Sequence, residues 1–64
     1  MASADWTQIT AECDGRIFEG FYRKDGDTVT VRTPLGSKAA QTRGLTPQYL
    51  AKMILRELAL EGRA

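Results

Sequence analysis

Two Asp-Gly pairs, Asp14-Gly15 and Asp25-Gly26, constrain this chain more than any other feature of its sequence. Each lies between runs rich in β-formers. A type I′ turn needs positive φ at both central residues, which Asp tolerates and Gly adopts freely, and its twist matches that of the flanking strands. The pairs therefore predict two consecutive hairpins. A loop at Asp14-Gly15 pairs Cys13 with Arg16, Ala11 with Phe18, Ile9 with Gly20 and Thr7 with Tyr22. A loop at Asp25-Gly26 pairs Lys24 with Asp27, Tyr22 with Val29, Gly20 with Val31 and Phe18 with Thr33. Directly paired residues share a sheet face. Ile9, Ala11, Phe18, Tyr22, Val29 and Val31 thus fall on one face, and a slip of one residue in either hairpin scatters them. The opposite face is polar apart from Trp6, Ile17 and Phe21, and this register predicts a Glu19–Arg32 cross-strand pair on it.

Pro34-Leu35-Gly36 is a further turn signal. Residues 37–42 then return as a candidate fourth strand, and Arg43-Gly44 opens a linker. Thr46 is the expected N-cap of a helix, with Pro47 at its first position, where the missing N–H costs nothing. Gly62 suits its end. Leu50, Ala51, Ile54, Leu55 and Leu58 recur at spacings of three and four and form the stripe expected to face the sheet. Lys52 and Arg56 come early in this helix and Glu57 and Glu61 late, an order that opposes the helix dipole, so packing must hold it. The fold expected is α+β: an antiparallel meander of three to four strands with one C-terminal helix on one face.

With 64 residues there is room for one domain, 1–64, with frayed ends near 1–5 and 62–64. Such a domain buries only about 60% of the surface its unfolded chain exposes. The single cysteine excludes an internal disulfide and suits a reducing compartment. Nine basic against eight acidic residues give a net charge of +1, which is no footprint for nucleic acid or a polybasic membrane contact. No apolar run reaches the roughly 18–20 residues of a membrane span. Met1 to Asp5 lack the basic and apolar regions of a signal peptide. A cytoplasmic protein is expected.

No constellation points to catalysis. Without histidine, a metal site needs clustered carboxylates, and Glu12, Asp14, Asp25 and Asp27 read as turn formers and solvating charges. No cofactor or metal is expected. Cys13 lies opposite Arg16, whose charge favours a thiolate, but no histidine base accompanies it. Glu12 and Glu19 share a face, yet a paired-carboxylate hydrolase needs a cleft that so small a sheet does not provide.

The apolar residues beyond the core carry more information. Tyr49, Met53 and Leu60 widen the helix's apolar arc beyond what a small sheet covers. Trp6, Ile17 and Phe21 remain on the far side of the sheet. Either the fourth strand, the linker around Leu45 and the tail cover them, or a homodimer or other protein partner does. Glu57 falls inside the apolar arc and needs a cation, for which Arg43 or an arginine of a second subunit is the expected source. The alternative reading is a nucleic-acid-binding face made of Trp6, Phe21, Arg23 and Arg32, since arginine beside exposed aromatics on a sheet suits unpaired bases and phosphates. Glu12 and Glu19 on the same face oppose it.

Trp6, Asp14-Gly15-Arg16, Gly20, Val29-Thr30-Val31, Gly36-Ser37-Lys38, Gln41-Thr42 and the helix from Pro47 to Leu58, closing on Leu55-Arg56-Glu57-Leu58, resemble a group of small, uncharacterised bacterial proteins. The resemblance spans nearly the whole chain and rests on turn and core residues. It implies a bacterial cytoplasmic protein and no particular activity. The sequence thus leads to a non-enzymatic protein-interaction module, with nucleic-acid binding as the alternative.

Overall fold

A computed structural model describes residues 6–64, so the expected loose end at 1–5 lies outside the described residues. Four strands follow one another: β1 (Thr7–Cys13), β2 (Arg16–Asp25), β3 (Thr28–Thr33) and β4 (Gly36–Gln41). They form one antiparallel sheet in the order β1-β2-β3-β4. The helix α1 (Pro47–Leu60) then lies across one face and touches every strand. The fourth strand expected at 37–42 is present.

The first hairpin is as expected. Cys13 pairs with Arg16, Ile9 with Gly20 and Thr7 with Tyr22. Both loop residues are left-handed, Asp14 at φ 55° and Gly15 at φ 77°, as a type I′ turn requires. The second hairpin corrects the expectation. Its loop is Gly26-Asp27 rather than Asp25-Gly26, so Tyr22 pairs with Val31, Lys24 with Val29 and Phe21 with Arg32. The reason is conformational. Gly26 alone takes a positive φ, 63°, and glycine in the first loop position is the type II′ pattern. The glycine supplies the left-handed residue, and neither flanking aspartate has to. The register shift is two residues, so every side chain keeps its predicted face. Arg32 now stands opposite Phe21, and the expected Glu19–Arg32 pair does not form.

The core is the layer between this face and the helix. Ile9, Ala11, Val29 and Val31 of the sheet meet Leu50, Ala51, Ile54, Leu55 and Leu58, all buried. Phe18, Tyr22, Ala40 and Ala64 pack at its margin. Gly20 lets the layers close. A Cβ on it would stand 3.0 Å from the Arg32 carbonyl oxygen and 3.3 Å from Leu55 Cδ1.

The helix begins and ends where its capping residues dictate. Thr46 accepts from the Tyr49 N–H at 3.2 Å, and Pro47 follows at the first position. At the other end Gly62 N–H donates to Ala59 O at 3.1 Å and Arg63 N–H to Leu58 O at 2.7 Å. This pair of bonds is the Schellman arrangement. The tail at 62–64, expected to be frayed, is therefore tied down. The buried Thr33 hydroxyl reinforces it: it donates to the Arg63 carbonyl at 2.6 Å and accepts from the Leu35 and Gly36 amides at 3.2 and 3.1 Å.

Candidate functional site

Among the described residues, two surfaces are left that the packing does not use. The first is on the helix. Tyr49 and Met53 are one turn apart, and Leu60 returns to the same side two turns later. All three point away from the sheet and are exposed, by 56%, 36% and 71%. The elements expected to cover them lie elsewhere. The fourth strand tucks Lys38 and Ala40 beneath the helix edge, and the tail sends Ala64 into the core margin. Leu45 is itself exposed.

This stripe has unlike flanks. On the β1 side stand Lys52 and Arg56, with Arg56 Nε donating to the Glu12 carbonyl at 3.1 Å. Two open depressions run between this flank and β1, one lined by residues that include Gln8, Tyr22 and Gln48, the other by residues that include Glu12 and Ile17. On the β4 side stand Glu57 and Glu61. Their cation is Lys38, which corrects the expectation of Arg43 or a second subunit. Lys38 Nζ lies 3.2 Å from Glu57 and 2.6 Å from Glu61. Lys38 pairs with Val31 in the β3–β4 register, and this places it on the helix side of the sheet. The hydrogen bonds that the Lys38 ammonium donates to Glu61 and Glu57 raise its pKa above the ordinary range, and the same donation holds the Glu61 carboxyl below its own.

The second surface is the outer sheet face. Among the described residues no layer covers it. Trp6, Phe21, Arg23 and Arg32 come together there. The Trp6 ring carries two guanidiniums, Arg32 at 4.4 Å and Arg23 at 5.3 Å from its centroid. Phe21, 46% exposed, pairs directly with Arg32. A depression of about 250 Å³ beside them is lined by Phe21, Arg32, Thr33 and Pro34. Ile17, at 73% exposure, does not join this group. It stands near the other end of β2, opposite Glu12, and Glu19 lies between it and Phe21. Along β2 the outward residues thus run Ile17, Glu19, Phe21, Arg23 and Asp25, so the arginine–aromatic cluster lies between Glu19 and Asp25.

The remaining candidates stay apart. Cys13 is a half-buried free thiol at the β1–β2 turn, and its neighbour Arg16 stacks over the Phe18 ring at 5.4 Å. Glu12 and Glu19 face Ile17 and Thr10 across the strand pair. Among the described residues no three metal-ligating side chains gather. Sequence reasoning missed Lys38 as the partner of Glu57, the buried hydroxyl of Thr33 and the exposed Leu35 at the β3–β4 turn. Counting the alternation back from Val31 through a tight turn at 34–35 would have placed Lys38 inward. The chain matches no protein-family model, and no curated protein or solved structure matches it either.

Proposed function

We propose that this domain is a non-enzymatic protein-interaction module that associates through the outer stripe of α1, in the first instance with a second copy of itself. One observation carries the reading: with every strand, the linker and the tail in place, Tyr49, Met53 and Leu60 remain open on one side of the helix. Nothing in the packing of the described residues needs large apolar groups there. Contiguous exposed apolar residues with charged flanks are the usual mark of a partner surface. Methionine adapts its shape to a partner at low cost, and tyrosine brings a large apolar face with a polar tip. The domain would act in a bacterial cytoplasm, where its single free thiol stays reduced.

Sedimentation across a wide concentration range tests this. The native chain should associate as concentration rises. Met53→Lys should stay monomeric with its stability changed by no more than about 0.5 kcal/mol, as for an ordinary surface substitution. A native chain that sediments as a monomer throughout, with no NMR shift at Tyr49, Met53 or Leu60 on dilution, would overturn self-association.

A further inference from the structure

We propose that the arginine–aromatic cluster of the outer sheet face binds single-stranded nucleic acid, with Arg23 and Arg32 on phosphates and Phe21 stacked on a base. This goes beyond the helix surface and concerns a different partner. The two guanidiniums rest on one indole ring, so they are no further apart than their two distances to it combined. That spacing suits neighbouring phosphates of an extended strand. The Trp6 ring holds each guanidinium by a cation–π contact, and with Arg32 exposed and Arg23 half-buried both can still meet a planar or tetrahedral anion. Among the described residues no carboxylate forms an ion pair with either group: the ion pairs there join Lys38 and Arg63 to Glu57 and Glu61. Asp25, two residues beyond Arg23 on the same face, forms no ion pair with it. Glu19, two residues before Phe21 on the same face, forms no ion pair with Arg32, and Glu12 stands toward the opposite end of the sheet.

The aromatic groups divide the work. Trp6 has guanidiniums against its ring, so it is the platform for the arginines and not for a base. Phe21 is the open aromatic face, and the depression it shares with Thr33 and Pro34 gives a base somewhere to lie. A base is available for stacking only when unpaired, so a single strand fits and a duplex does not. An acidic peptide would use the guanidiniums and leave Phe21 and the depression empty. The surface is open and carries two cations, so binding should be weak and tolerant of sequence.

The test is NMR titration of the full chain with oligothymidylate and oligouridylate at low salt. Shifts are expected at Phe21, Arg23, Arg32 and Thr33, with α1 unaffected. Two phosphate contacts predict a slope of log K on log salt of about −1.4. Arg23→Gln combined with Arg32→Gln should bring that slope near zero with the fold retained. Phe21→Leu, which keeps an apolar side chain, should weaken binding by about 5- to 150-fold, the worth of one stacked base. The proposal is overturned by no shift on this face, by shifts confined to α1, by equal binding of a duplex of the same length, or by full displacement with poly-glutamate.

Discussion

Gly20 is the residue whose smallness the two layers depend on. It sits in β2 beneath the helix, with the Arg32 carbonyl 3.0 Å from where a Cβ would be and Leu55 just beyond. The oxygen belongs to the paired strand and cannot rotate away, and Leu55 is fully buried. Gly20→Ala should therefore destabilise the domain by about 1–3 kcal/mol, the usual result of overpacking. The check is a urea titration in which the midpoint falls while the slope is kept. Thr33 offers a second case of the same kind. Its hydroxyl serves two amides of the β3–β4 turn and the Arg63 carbonyl at once. Thr33→Val keeps the shape and removes all three bonds. A loss of about 1–3 kcal/mol is expected from the buried groups left unsatisfied. Amide exchange at Gly36 and Arg63 should quicken together if the turn and tail share this anchor.

At the scale of elements, the helix and the hairpins were legible to different degrees. The helix was readable almost residue by residue, because its determinants are local: Thr46 and Pro47 start it, Gly62 ends it, and five apolar positions at helical spacing are the five that are buried. The hairpins were readable in face but not in register. Lys24-Asp25-Gly26-Asp27 contains both an Asp-Gly and a Gly-Asp pair, and either can form a two-residue loop. The two choices differ by a shift of two residues, which alternation cannot detect. That shift moved Arg32 from opposite Glu19 to opposite Phe21, within a cluster whose four members alternation had already placed on the outer face. Trp6 reaching Arg32 across β2 is a diagonal contact that no strand pattern announces. The helix stripe, in contrast, needed only spacing to be found. What the sequence left open was whether another element covers it, a question of where β4 and the tail go. The local character of the helix start has its own consequence. Thr46→Ala removes the acceptor for the Tyr49 amide and should cost about 1 kcal/mol, with a range of 0.5–2. Thermal melting followed by circular dichroism gives the measurement.

For the whole molecule, the sheet has two edges, and they are treated differently. β4 carries Lys38 pointing inward, and an inward charge on an edge strand discourages pairing with another chain. Here the charge also ties that edge to the last turn of α1 through Glu57 and Glu61. Glutamates near a helix C-terminus oppose its dipole, and Lys38 offsets them while joining the sheet's last strand to the chain's last element. The linkage to pH follows from the direction of the shifts. Glu61 titrates below its usual 4.5 in the folded state, because Lys38 donates to it. Its contribution is complete above pH 4.5 and disappears as pH falls through the lowered value. Lys38 titrates above its usual 10.5, so its contribution is complete below pH 10.5 and disappears as pH rises through the raised value. The difference in urea midpoint between the native chain and Lys38→Gln should thus be flat between these limits and vanish outside them. Both glutamates are exposed and Lys38 is half-buried, so high salt should shrink the same difference in the middle of the window. A difference that survives at low pH or in concentrated salt would assign the role of Lys38 to the packing of its alkyl stem against the helix instead of to its charge.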